Sequence, residues 1–377
     1  ETIKILTGQS LDYPITGITT DSRSCEPGDL YIALTGIRSD GHQYVNEVQR
    51  KNASAAIVSE SSANEEIKIE QNGEVKAGFY FDDYVVPVQA ASEARGDAEV
   101  LDSSCLLRLL PHGENHQAAS DLLNWVNSDG AAACESLQIS CSEIQLKIPN
   151  PRPNKLFLLA GNYAKHIEEG GGTAREREET FPYVFMKPAS TTLTDPGSAI
   201  KIPKVNPNTT DWELELGIVI GKGGKHISEA DALSHVAGYT IFNDISDRGY
   251  HPNENRKERP KDGFFDWLHG KWHDSFCPCG PCIASPDTVT DPQALALELK
   301  HNGEVRQDSN TAEMVFPVAA VIEFISQSVT LEPGDMISTG TAAGVGNTTK
   351  TYLKAGDLMH ASIDSIGTLI TPVEDEA

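Results

Sequence analysis

The sequence predicts an α+β protein, strand-rich over most of its length and led by a small α/β segment. Three observations carry this. Within residues 1–60, strand-like and helix-like stretches alternate, the signature of a small α/β unit. At Asn72-Gly73, two alternating stretches meet across a dipeptide that favours a tight hairpin. From about residue 150 onward, short apolar runs are broken again and again by Gly and Pro. The 377-residue chain holds 31 Gly and 21 Pro, a composition that fits a turn-rich globular protein rather than a fibrous or disordered one.

The elements follow in order. "ITGITTDSRSCEPGDLYIALTG" gives β-branched stretches separated by turn residues. "GHQYVNEVQRKNASAAIVSE" reads as a short helix and then an apolar strand. "SSANEE" at 61–66 is polar and reads as a linker, which sets a first domain at 1–64. "IKIEQNGEVKAGFYFDDYVVPV" opens a β-meander. Helical patterns follow near 103–110 and 118–126, and "SLQISCSEIQLKIPNPRP" reads as a strand ending in a proline-rich connector. This second region spans 65–150. The third, 151–377, is strand-rich, with helices expected at 228–237, where a Ser N-cap precedes acids in the first turn, and at 318–327. No internal repeat or low-complexity tract is present.

Charge and cysteine usage narrow the function. The formal net charge is −25, so a nucleic acid or an anionic membrane, both of which need a basic footprint, is not an expected partner. No run of about 18 apolar residues and no basic-then-apolar N-terminus is seen, so neither a membrane span nor a secretory leader is expected. Seven cysteines at scattered spacings point to reduced thiols and a cytoplasmic protein. One cluster, Cys277-Pro-Cys279-Gly-Pro-Cys282, admits two readings. It is a thiolate metal site, or small residues in a tight turn before a strand.

"DWELELGIVIG" at 211–221 puts Glu213 and Glu215 two apart in a strand-like run, so both carboxylates share one face and Leu214 and Leu216 take the other. Asp244 ends a second apolar stretch, "GYTIFNDISDR". Three carboxylates so arranged make a hard oxygen-rich site, suited to Mg2+, with Mn2+ or Ca2+ as alternatives. A divalent ion would turn repulsion between buried acids into coordination. Taken alone, the pair also fits an exposed sheet face.

These stretches, taken together, resemble the fumarylacetoacetate hydrolase family. "KLFLLAGNYAKHIEE", "VFMKPASTTLTDPGSAIKIP", "GKWHDSFCPCGPCI" and the tail "HNGEVRQDSNTAEMVFPVAAVIEFISQSVTLEPGDMISTGTAAGVG" follow the family's motif order over about residues 67–370. The resemblance implies a mixed β-roll catalytic domain, with Glu213, Glu215 and Asp244 as metal ligands. It implies His166 and Glu169 as a water-activating dyad, since a carboxylate on one imidazole nitrogen raises the basicity of the other. It implies Lys271 as a catalytic cation, and Arg248, Lys187 and Thr341 as substrate-binding residues, with Thr341 donating to a substrate carboxylate. Gly170-Gly171-Gly172 reads as a hinge that closes the His166 segment as a lid. Two departures touch the substrate. Arg248-Gly249-Tyr250-His251 replaces the family's usual continuation, and the segment "HPNENRKERPKDGFFDWLHG" is longer than in the simplest members. Ala342 also replaces a usual proline.

The chemistry so implied is hydrolysis of a C–C bond in an acylpyruvate-like 2,4-dioxo acid, releasing pyruvate or a related 2-oxo acid. The same site also supports a decarboxylase, an isomerase or a deoxy sugar acid dehydratase. A binding protein on a degenerate hydrolase scaffold is the non-enzyme alternative, against which the intact acids and dyad argue. A homodimer is implied by the family. Residues 15–60 resemble the N-terminal domain of Mur ligases through the DSR and PGDL motifs, with Asp21, Ser22 and Arg23 in the place where that family holds a nucleotide-sugar. The ATP loop of those ligases is absent, so a non-catalytic appendage is expected.

Overall fold

The computed structural model describes residues 74–377 except 82, 102–104 and 176, together with five earlier backbone strands, Ile3–Thr7, Gly17–Thr19, Asp29–Ile32, Ala55–Ser59 and Ile69–Gln71. The chain divides into two units, Glu1–Glu65 and Glu66–Ala377. In the first, four strands form one sheet in the order Ile3–Thr7, Ala55–Ser59, Asp29–Ile32, Gly17–Thr19. The first pair is antiparallel and the other two are parallel. Residues 33–54 separate the parallel strands Asp29–Ile32 and Ala55–Ser59. The helix expected there, the linker at 61–66, and Asp21, Ser22 and Arg23 lie outside the described residues.

The second unit opens with the hairpin Ile69–Gln71 and Glu74–Lys76, in which Gln71 faces Glu74. Asn72 and Gly73 themselves lie outside the described residues. A small lobe follows. Gly78–Phe81, Tyr84–Pro87 and Ile139–Ser140 form its sheet. Val88–Arg95 and His116–Val126 pack their apolar faces on it through Val88, Ala91, Leu122 and Val126. The strand expected through 136–148 shrinks to Ile139–Ser140, because the Ser140 hydroxyl accepts from Ser142 N and starts a 3₁₀ turn at Cys141–Glu143. The helix expected at 103–110 is described as the single turn Leu106–Leu109.

The remainder is built from two mixed sheets. One has seven strands in the order Tyr183–Met186, Leu156–Ala160, Met336–Thr341, Leu214–Ile220, Val236–Asn243, Cys277–Ala284, Leu193–Thr194. The other has five, in the order Ile200–Ile202, Gly367–Asp375, Leu358–Ile363, Ala296–His301, Glu304–Asn310. The central strands Leu214–Ile220 and Val236–Asn243 are buried along their whole length. That explains the apolar run at 217–220, which follows the Glu/Leu alternation at 213–216. Leu214, Leu216, Ile218 and Ile220 enter one core, shared with the helix Val318–Ser328. Val219 and Phe242 enter a second core on the other face. Gly217 sits between them because a Cβ there would meet the Phe242 ring at 2.6 Å.

Two further expectations are corrected. The helix read at 228–237 ends early. Glu229–Ala232 is α-helical, Leu233–His235 is a 3₁₀ turn, and Val236 already pairs with Ile220 in the sheet. Ladder pairing outcompetes local helical pattern once both strands are buried. The cysteine cluster is a strand, Cys277–Ala284, not a turn before one. Cys277 and Cys279 are fully buried in it, and no cysteine joins a metal-type cluster among the described residues. No helix among the described residues is long and apolar enough to cross a membrane.

Candidate active site

The site forms where the two central strands end. Asp244 follows the strand Val236–Asn243, and its N–H donates to Glu213 O at 2.8 Å. The Asn243 side chain accepts from Glu213 N at 2.9 Å. These bonds set Asp244 opposite Glu213, while Glu215 faces Thr341 on the next strand. Carboxylate oxygens of Glu213, Glu215 and Asp244 all lie within 4.8 Å of one another, and all three residues are buried. Ser338 Oγ and Gly340 N donate to Glu215 Oε2 at 2.5 and 2.8 Å. Glu215 Oε1 is buried with no hydrogen-bond partner. A buried oxygen left so is costly, and it is a site a cation would fill. The donor set is three hard carboxylates, and it fits a divalent ion of the Mg2+, Mn2+ or Ca2+ kind.

Cationic side chains surround the acids. Lys271 Nζ donates to Glu213 Oε2 at 2.6 Å and to Asp244 Oδ2 at 2.5 Å. It also lies 5.2 and 5.6 Å from the ring centroids of Phe185 and Trp267. Lys187 is buried, ion-pairs with Asp244, and donates to Ile245 O and Phe276 O at 2.9 and 2.6 Å. Arg248 donates through Nη2 to Glu213 Oε1 at 2.5 Å and through Nε to Asp211 Oδ2 at 2.8 Å.

Environment divides the carboxyls. Burial, then Asp244 and Glu213 beside it, raise Glu215 well above the ordinary carboxylate range. Burial also pushes Glu213 upward, but Arg248, Lys271 and His166 outweigh it and hold this carboxyl below the ordinary range. Burial acts to lower Lys271, and Asp244 and Glu213 more than offset it, so the ammonium stays charged.

The imidazole arrives on the short helix Ala164–Glu169. Buried Asn162 anchors its start, donating to Phe316 O and Thr339 O at 3.0 and 2.8 Å and accepting from Phe316 N at 2.8 Å. His166 Nδ1 and Glu169 Oε1 are 2.8 Å apart, so Nδ1 carries the proton and Nε2 is left as the basic nitrogen. Glu169 is held in turn by Gly344 N, at 3.2 and 3.0 Å from its two oxygens. The glycines after the helix close it rather than leave it loose. Gly171 N and Gly172 N donate to Glu168 O and Ile167 O at 2.9 Å each, and Gly171 has φ +80.

Not every expected residue is free for substrate. The Thr341 hydroxyl donates to Leu214 O at 2.9 Å and accepts from Gln307 Nε2 at 2.8 Å. A hydroxyl has one proton, so donating to a substrate carboxylate would require the bond to Leu214 O to be given up. Two residues without an assigned role in the sequence reading also belong to the site. Asp211 is two residues before Glu213 and so shares its parity along the chain. Gln307 sits in the quoted tail, and its Oε1 accepts from Leu214 N at 3.0 Å.

A family model described as fumarylacetoacetate (FAA) hydrolase C-terminal matches residues 155–374, which contain every residue of this site. The chain belongs to the fumarylacetoacetate hydrolase family. A second model, described as Mur ligase family, catalytic domain, matches residues 14–97. The Mur ligase likeness read from residues 15–60 thus extends further along the chain, and carries the description of that family's catalytic domain. Relatives within the hydrolase family include an oxaloacetate tautomerase, fahd2, mitochondrial, of Xenopus laevis. It is 40% identical over 238 residues, 62% of this chain and 70% of the relative. A 2,4-didehydro-3-deoxy-L-rhamnonate hydrolase of Sphingomonas sp. (strain SKA58) is 41% identical over 236 residues, 62% of this chain and 78% of that one. The structure of maleylpyruvate hydrolase from Sphingobium sp. SYK-6, in complex with manganese (II) ion and pyruvate, superposes with a TM-score of 0.60 at 26% identity. That match covers 82% of this chain and 99% of the other. Fumarylacetoacetate hydrolase family members therefore include hydrolases and tautomerases of small acids, and the strand-rich, mixed-sheet fold read from the sequence for the catalytic region fits theirs.

Proposed function

We propose that this chain is a divalent-ion-dependent enzyme that hydrolyses a C–C bond in an acylpyruvate-like 2,4-dioxo acid and releases pyruvate. The observation that carries the reading is the His166–Glu169 pair at 2.8 Å, set beside three buried acids. Glu213, Glu215 and Asp244 are the ligands, and Mg2+ is the proposed ion. When bound, it supplies a Lewis acid that polarises the oxygens of a 2-oxo acid. Charge balance favours this substrate class. With Glu215 protonated, the buried acids Asp211, Glu213 and Asp244 balance Lys187, Lys271 and Arg248. A doubly charged ion that displaces the Glu215 proton leaves one net positive charge, which admits an anion.

His166 Nε2 takes a proton from water while Glu169 holds Nδ1–H and stabilises the imidazolium. The water oxygen bonds to the distal carbonyl carbon. The C–C bond then breaks, and its electron pair leaves as pyruvate enolate, whose charge the Lys271 ammonium balances. A proton returned to the enolate carbon completes pyruvate, and the acyl half departs as a carboxylic acid. Arg248 keeps Nη1 for a substrate oxygen, since Nε and Nη2 are taken by acids.

The oxaloacetate tautomerase relatives favour a second reading. In it His166 Nε2 moves a proton between carbon and oxygen of a 2-oxo acid without water attack. The test is pyruvate release from a panel of acylpyruvates, read by a coupled NADH assay, beside loss of enol absorbance from oxaloacetate. The expected result is ion-dependent pyruvate release that falls about 10²–10⁴-fold in His166→Gln. Enol loss without pyruvate release from any acylpyruvate selects the tautomerase reading. Neither activity refutes both.

A further inference from the structure

We infer that Asp211 is a positioning residue, and that with the 342–347 loop it forms a brace fixing the acid cluster relative to the His166–Glu169 pair. This rests on the roles given to those two groups above. Asp211 is fully buried and touches neither proposed reaction centre. It collects four N–H donors. Trp212 N and Gly346 N donate to Oδ1 at 2.8 and 2.7 Å. Arg248 Nε and Asn347 N donate to Oδ2 at 2.8 and 3.0 Å.

Three of these donors lead in two opposite directions. Arg248 continues to Glu213 Oε1 at 2.5 Å, which reaches the acid cluster. Gly346 and Asn347 open the helical turn Gly346–Thr349, just after Gly344, whose N–H holds both oxygens of Glu169 and so reaches the imidazole. One short backbone segment therefore gives its N–H groups to two carboxylates, one on each half of the site. Gln307 locks the base of that segment. Its Nε2 donates to Ala342 O at 2.8 Å, and its Oε1 accepts from Leu214 N, between the two glutamates.

The loop has little room to sit elsewhere. Gly344 holds φ +105, and a Cβ there would lie 1.9 Å from Arg306 O. A Cβ on Gly346 would lie 2.0 Å from Thr351 O and 2.7 Å from Asp211 Oδ1. Gly346 lets the backbone approach the Asp211 carboxylate closely, and Gly344 lets it pass against the Arg306 carbonyl. A chain of short bonds through a fixed loop can transmit a displacement from one group to the other, because close-packed interiors do not absorb it. Placement errors of about 1 Å at reacting groups cost about 10²-fold in rate.

Asp211→Asn tests this with little change of volume. Asparagine has one acceptor oxygen and one NH2 group, so it meets only two of the four donors and turns its own donors toward the other two. The expected result is at least a tenfold loss in Mn2+ affinity by titration calorimetry, with a fall in kcat larger than the change in KM. The losses in kcat from Asp211→Asn and Glu169→Gln should also overlap, so the double variant is less impaired than their product. A purely structural role predicts a lower Tm with Mn2+ affinity and kcat of wild-type size, and that outcome overturns the brace, as do losses that multiply. If Asp211→Asn does not fold, Arg248→Lys replaces it. One ammonium reaches one of the two carboxylates, so tenfold weaker Mn2+ binding supports the brace and unchanged binding overturns it. No Mn2+ binding to the wild-type chain removes the reading of the site itself, and the brace with it.

Discussion

Glu215 shows at the level of one residue how function and stability pull apart. Its Oε2 is satisfied by Ser338 and Gly340, yet its Oε1 is buried without a partner beside two other acids. Leaving a buried polar atom unpaired costs about 1–3 kcal/mol. Glu215→Gln removes the charge and offers NH2 where the orphaned oxygen stood, with its own oxygen still able to accept from Ser338 and Gly340. In EDTA this variant is expected to melt a few degrees above the wild-type chain. Its Mn2+ affinity is expected to fall at least tenfold, and melting curves with and without Mn2+ check both at once. That Glu213 and Glu215 share a face was legible from their strand spacing, whereas their grouping with Asp244 came from the family resemblance, because no spacing in the sequence makes the two strands neighbours. The engagement of the Thr341 hydroxyl was not legible. It depends on Gln307 and Leu214, which only the fold brings together.

Among the elements, the long buried strands and the helix Val318–Ser328 were readable because apolar residues dominate them, the run 217–220 in one strand and the buried face Val318, Val321, Ile322 and Ile325 in the helix. Short elements were not. The helix at Glu229–Ala232 and the strand at Ile139–Ser140 are each cut off by one hydrogen-bonded competitor that no local pattern reveals. The strand Cys277–Ala284 carries a testable consequence of its own. Burial pushes the Cys277 thiol up to about 12, against about 8.5 for a free thiol. Folding thus favours the protonated thiol. Its contribution is complete below about pH 8.5 and is lost as pH climbs from there toward the folded value. This group should therefore lower the unfolding free energy of the wild-type chain by up to about 1.4 kcal/mol per pH unit between about pH 8.5 and 10.5, and its Tm with it. Cys277→Ala should start lower, because of the cavity, and decline less over the same range. Melting curves at fixed ionic strength measure the difference in slope.

The whole molecule joins a unit holding the complete candidate site to one that holds none of it. The acids, the imidazole, the three cations and the brace all lie between Asn162 and Asn347, inside the unit Glu66–Ala377. Its core is of a size that folds independently. The Mur ligase match at 14–97 crosses the boundary between the units, so sequence likeness and compactness divide the chain at different places. Compactness is the better guide to where activity survives, because catalysis needs the site held rigid rather than the ancestry kept whole. A chain beginning at Glu66 is accordingly expected to bind Mn2+ with wild-type affinity and to keep kcat/KM within about twofold, a shift below 0.5 kcal/mol in transition-state stabilisation. Calorimetry and the pyruvate assay on the shortened chain check this. A loss of Mn2+ binding with the fold intact by circular dichroism would mean that residues 1–65 shape the site from outside its own unit. Lost turnover with Mn2+ binding kept would instead assign them to substrate capture or to the catalytic step.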